Sequence, residues 1–104
     1  MKVFVTGVGG QLGHDVMLEL KCRGMEAIGS DLAPGNDSYT HYVSLDITDA
    51  AAVEKAIGEA AADVVIHCAA WTAVDLAEEK AELVHAINAT GTQNIANVCK
   101  QLSC

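Results

Sequence analysis

Short apolar runs alternate along this chain with longer stretches in which apolar residues return every third or fourth position. Lys2 to Thr6 (KVFVT) is β-branched and aromatic and stops at glycines, which predicts a buried strand. From Gln11 to Arg23, Leu12, Val16 and Leu20 with Met17 beside them form one apolar stripe, and Gly24 stands where a left-handed residue ends a helix. Glu26 to Asp31 (EAIGSD) reads as a second strand, and Ala33 to Asp37 is dense turn chemistry, expected to be the most mobile loop. His41 to Leu45 predicts a third strand. Thr48 or Asp49 then caps a helix that puts Val53, Ile57 and Ala60 on one face. Val64 to Ala70 (VVIHCAA), apolar on both faces, predicts a central parallel strand. The helical period resumes from about Asp75 to Leu102, with a break expected near Leu76 to Lys80.

The order β-α-β-loop-β-α-β-α implies a parallel sheet joined by crossovers, without repeat, linker or low-complexity segment. The fold class is therefore α/β, a Rossmann-type doubly wound sheet of about four strands in the order 3-2-1-4. Residues 1–104 are expected to be one domain. The chain stops where a fifth strand is expected, so it reads as the N-terminal part of a longer protein.

Charge and cysteines narrow the partners. Six Lys and Arg against fourteen Asp and Glu give a net charge of −8, which argues against nucleic acid and against an anionic lipid surface. A hydrophobic fraction of 51% with a single proline excludes a disordered chain. No apolar run approaches the ~20 residues of a membrane span, and Val3-Phe4-Val5 is too short for a signal segment. Cys22, Cys68, Cys99 and Cys104 show no C-x2-C pairing and are expected as reduced thiols in a cytoplasmic protein.

The strongest chemical signal is Thr6-Gly7-Val8-Gly9-Gly10-Gln11-Leu12-Gly13, set between the first strand and the first helix. A phosphate-binding turn needs Gly7 for the bend, Gly10 for approach of backbone to a pyrophosphate and Gly13 for close helix-to-strand packing. Asp31, ending strand two, is placed to accept hydrogen bonds from the two hydroxyls of an adenosine ribose. No Lys or Arg lies between Arg23 and Lys55 to offset a 2′-phosphate, so NAD(H) is favoured over NADP(H). Asp46 and Ile47 follow strand three at the same sheet edge. They suit an adenine amino group and ring, while Asp46, Thr48 and Asp49 equally suit turns and caps.

Ala69, Ala70, Trp71 and Thr72 leave strand four at that edge, where small residues let a dinucleotide lie against backbone and Thr72 offers a hydroxyl. Trp71 either flanks the site or covers a helix end. His67 reads as a satisfied core histidine. His14, His41 and His85 have no metal-like spacing, so no metal site is expected. Asn88, inside the last helix, either holds strand four or faces solvent near a kink at Gly91. Asp75, Glu78, Glu79 and Glu82 read as a solvated helix face.

These residues together resemble the opening part of the extended short-chain dehydrogenase/reductases, and among them the dTDP-4-dehydrorhamnose reductase family. The resemblance covers all 104 residues. It rests on the T-G-x-x-G-Q-L-G turn, Asp31, Asp46-Ile47-Thr48, the run Ala69-Ala70-Trp71-Thr72-Ala73-Val74-Asp75-x-Ala77-Glu78 and Asn88-Ala89-x-Gly91-Thr92. It implies cofactor contacts at Gly10, Gln11, Leu12, Asp31, Asp46, Ile47, Ala70, Trp71 and Thr72, with Val74 near a dTDP-sugar. Trp71 stands where the family often has Tyr or His. Some members place an acid at Asp15 near a metal, but here Asp15 reads as a helix-surface residue.

Such reductases protonate the keto oxygen with a Tyr-x-x-x-Lys pair. Tyr39 and Tyr42 are followed at the fourth position by Val43 and Asp46, so neither begins that motif and no catalytic residue is expected in this stretch. The leading expectation is the NAD(P)-binding part of such a reductase, inactive alone. The alternatives are a non-catalytic dinucleotide-binding or regulatory module, and another extended-family nucleotide-sugar epimerase or dehydratase. Val64 to Ala70 would leave an open sheet edge, so self-association is expected.

Overall fold

A computed structural model describes residues 1–34, 41–69 and 81–104, with side chains in the last stretch from residue 87 onward. Its elements are β1 (Lys2–Thr6), α1 (Gln11–Cys22), β2 (Glu26–Asp31), β3 (Tyr42–Ser44), α2 (Ala50–Ala60), β4 (Val64–His67) and α3 (Ala81–Leu102). The strands form one parallel sheet in the order β3-β2-β1-β4, as expected.

Alternation along β1 divides the core. Val3 and Val5 pack with Val8, Met17 and Leu20 beneath α1. Phe4, between them, is fully buried on the opposite face with Leu45, Val53, Ile57, Ala60, Ile95 and Val98, beneath α2 and α3. Val65 and Ile66 of β4 divide between the same two clusters.

Several boundaries differ from the sequence reading. β4 ends at His67 rather than Ala70, because its ladder partner β1 ends at Thr6, the residue paired with His67. At the sheet edge β4 is only partly buried, and Val64 is exposed. β3 spans Tyr42–Ser44 rather than residues 41–45, and α1 stops one residue early, with Arg23 as its C-cap. On α1 the face toward the sheet is Gly13, Met17 and Leu20, while Leu12 is 65% exposed and leaves the stripe. Gly13 turns the helix this way because only a residue without a side chain fits against Gly7.

The caps follow the expected chemistry. Asp49 is the N-cap of α2, its side chain accepting from the Ala52 N–H at 3.2 Å. Gly24 ends α1 with φ +70°, and Met25 N–H bonds the Leu20 carbonyl at 3.0 Å. Gly91 makes no kink: α3 runs continuously through it, and a side chain there would overlap Ile47. Asn94 secures the same contact, donating to the Ile47 carbonyl at 2.9 Å. The turn at Gly35 to Asp37, Tyr39, and the expected break near Leu76 to Lys80 lie outside the described residues.

Candidate functional site

Register brings the site together. Thr6 pairs with Ser30 on one side and His67 on the other, and Asp31 pairs with Ser44, so the four strands end nearly in line. The residues that follow, Gly7, Leu32, Leu45 and Cys68, all line one cavity of about 800 Å³. It sits at the carboxyl ends of the strands, beside β1, where the chain order reverses and ligands of open α/β sheets bind.

The glycine turn forms one wall. Gly7 N–H and Val8 N–H both bond the Ser30 carbonyl, at 2.8 and 3.2 Å, and Ser30 in turn donates its hydroxyl to the Val5 carbonyl at 3.1 Å. Gly7 has φ +75°, and a side chain there would run into the backbone of Cys68 and Ala69. A side chain at Gly13 would overlap the Gly7 carbonyl. Gly10 differs from both. Among the described residues a Cβ there would meet only the Gly7 carbonyl, at an ordinary 3.6 Å, so none of them demands a glycine. Gly10 is also the N-cap of α1; it has no side chain to take up the first-turn N–H groups, and no acid lies in that turn.

Asp31 is held from two sides. Its Oδ2 accepts from Gly9 N–H at 2.7 Å and its Oδ1 from Leu32 N–H at 2.7 Å. Tyr42 steadies the segment after β2 by donating its hydroxyl to the Ala33 carbonyl at 2.7 Å. Burial and then the Asp31 charge push the Tyr42 hydroxyl above its usual range. Asp46 serves as the turn former that sequence allowed, since its Oδ1 accepts both the N–H and the hydroxyl of Thr48, at 2.9 and 2.7 Å. Those two bonds hold its carboxyl below the ordinary value. It lines the cavity as well, so the two readings of Asp46 coexist.

Thr6 is the hub that sequence reading missed. Its Oγ1 accepts from Cys68 N–H at 3.1 Å and Ala69 N–H at 3.2 Å and lies 2.7 Å from His67 Nδ1. With both acceptor positions taken, the Thr6 hydroxyl proton points at Nδ1, which assigns the remaining ring proton to Nε2. Nε2 is 3.1 Å from the Thr92 hydroxyl. His67 is thus a satisfied histidine, as expected, and burial pushes it below its ordinary value, toward the neutral form. The chain Thr92–His67–Thr6 ties α3 to the backbone leaving β4. It was invisible in sequence because its members come from three distant elements.

Of the residues expected at a site, Gly7, Gly10, Gln11, Leu12, Gly13, Asp31, Asp46, Ile47 and Ala69 line the cavity. Ala70, Trp71, Thr72 and Val74 lie outside the described residues. Asn88 is a further lining residue, with Thr6, Ser30, Thr48 and Ile87. Gln11 donates its side-chain amide to Asp15 along the helix at 3.0 Å. No group of three metal-ligating side chains occurs among the described residues.

The family described as RmlD substrate binding domain matches residues 1–104. The chain belongs to this family. A dTDP-4-dehydrorhamnose reductase from Streptomyces griseus is 42% identical over 96 residues, covering 92% of this chain and 28% of that protein. The chain therefore spans less than a third of that relative's length. Among solved structures, the dTDP-4-dehydrorhamnose reductase from Bacillus anthracis in complex with NADP is 32% identical with a TM-score of 0.80, over 99% of this chain and 33% of the other. The UDP-glucose 4-epimerase from Thermus thermophilus in complex with NAD is 30% identical with a TM-score of 0.88, over 99% of this chain and 35% of the other.

Proposed function

We propose that this chain is the nicotinamide-dinucleotide-binding part of a dTDP-4-dehydrorhamnose reductase, the whole protein reducing the 4-keto group of a dTDP-sugar. The observation that carries the reading is the contrast at the turn: packing accounts for Gly7 and Gly13, whereas Gly10 borders open cavity at an uncapped helix end. A pyrophosphate laid across Gly10 accounts for it, since backbone N–H groups and the positive helix end favour an anion that a side chain would exclude. Asp31 would receive the adenosine ribose, and Asp46 and Ile47 would border the adenine. Ala69, Ala70, Trp71 and Thr72 would run beside the nicotinamide half, with Val74 toward the sugar. The bound cofactor supplies hydride, and the proton donor belongs to the part of the protein beyond these residues.

The finer preference is for NADH over NADPH, because the fixed Asp31 carboxylate repels a 2′-phosphate. The Thermus thermophilus epimerase holds NAD and the Bacillus anthracis reductase NADP, so the preference is modest. The whole protein would act in the cytoplasm, which accords with the absence, among the described residues, of any helix long and apolar enough to cross a membrane. The 104 residues alone would bind without turnover, and their open β4 edge would pair with a second copy.

Titration of the protein with NADH and NADPH, alongside a Gly10→Asp variant, tests the reading. Binding of either cofactor that Gly10→Asp abolishes supports it. Binding that survives in the variant, or none in the parent, removes it, and tighter NADPH than NADH overturns the preference alone.

A further inference from the structure

α3 ends in a left-handed turn at Ser103, with φ +59°. Beyond it the Cys104 N–H bonds back to the Cys99 carbonyl at 3.0 Å. This is the Schellman arrangement, in which the residue after the left-handed position folds onto the residue five earlier, commonly through an apolar contact. α1 ends in the same way, and there the two residues are Leu20 and Met25. At the end of α3 both are cysteine.

The pair is built into the fold. Cys99 and Cys104 are free thiols, partly buried, and both pack against the cluster of Phe4, Ile57 and Val98. Burial, and after it the Cys104 side chain beside it, push the Cys99 thiol up to about 11. The other two cysteines are elsewhere: Cys22 is exposed on α1, and Cys68 belongs to the cluster on the opposite face of the sheet and lines the cavity.

We propose that Cys99 and Cys104 form a redox modification site, joined by an intrachain disulfide when the protein meets a two-electron oxidant of the hydroperoxide class. The thiolate of one cysteine of the pair breaks the O–O bond of hydrogen peroxide, giving a sulfenic acid on that sulfur and one molecule of water once the released hydroxide takes up a proton. The second sulfur then displaces water from the sulfenic sulfur, and the S–S bond replaces two S–H bonds. The peroxide receives both electrons. The product clamps the left-handed turn at Ser103 and fixes the direction in which the chain leaves α3.

Lys100 lies between the two cysteines, so trypsin separates them into peptides that only a disulfide can hold together. The whole protein is treated with hydrogen peroxide, alkylated, digested without reduction and read by mass spectrometry. The expected result is loss of the two alkylated peptides and gain of a linked pair two hydrogens lighter than their thiol sum, reversed by dithiothreitol. Cys22→Ser keeps this product and Cys104→Ser loses it. Recovery of both peptides as alkylated thiols, as sulfinic acids or linked to other cysteines overturns the proposal; urea-unfolded protein oxidised in parallel shows that the linked pair is detectable.

Discussion

The floor and the rim of the glycine turn differ in what holds them. At the floor, Gly7 and Gly13 press against backbone that has nowhere to move, so the chain's own packing dictates their identity. At the rim, Gly10 borders the cavity with Gln11, Leu12 and Asp31, and packing leaves its identity open. Residues that the fold needs and residues that the proposed ligand would need therefore sit three positions apart in one motif. Substitutions at the two places should part stability from binding.

The largest effect is expected at the floor. Gly13→Ala drives a methyl into the Gly7 carbonyl and should cost about 3 kcal/mol of stability, read from urea unfolding, with dinucleotide binding falling alongside. A variant as stable as the parent would mean that α1 can retreat from the turn, and the contrast would collapse. Gly10→Ala is the matching change at the rim. Its stability should stay within about 1 kcal/mol, the range of N-cap exchanges, while dinucleotide affinity falls by tenfold or more in calorimetric titration. Equal losses at both positions would erase the distinction.

Asp31→Ala sharpens the rim further. NADH affinity should drop roughly tenfold, about 1.4 kcal/mol, and NADPH affinity much less, so the ratio of the two dissociation constants shrinks. The smallest effect concerns the link between α3 and the floor. Burial holds His67 below its ordinary value in the folded protein, so on acidification the unfolded chain takes up this proton first. Stability should therefore decline as pH falls below about 6.5 and level off beneath the folded value, and His67→Gln should flatten that slope relative to the parent. An unchanged slope would show that His67 protonates freely in place.

Much of this frame was legible from sequence, and the failures have physical causes. β1 and β2 were bounded correctly because β-branched and apolar runs end at glycine or at an acid. The stripe on α1 was misdrawn because hydropathy counts Leu12 and ignores Gly13, whereas the helix approaches the sheet where it has least side chain. β4 was drawn too long because apolar composition continues to Ala70, while pairing stops where β1 stops. The Thr92–His67–Thr6 chain was hidden because hydrogen bonds between distant elements leave no local pattern. Val8 received no role of its own from the sequence, yet it is 1% exposed, and its methyl groups occupy the space that a side chain at Gly29 would need.

The two backbone N–H groups on Asp31 carry a consequence for selectivity. A free carboxylate at a cavity mouth can swing away from an unwelcome anion, and discrimination fades by whatever that rotation relieves. Here Gly9 and Leu32 fix both oxygens, so the side-chain entropy has already been lost in folding and rotation would break two charge-assisted bonds. In the proposed site, a diol arriving at Asp31 would find its acceptor already aimed, and a phosphate would find a charge that does not yield. The turn proposed to cradle one half of a dinucleotide would thereby stiffen the residue proposed to judge the other.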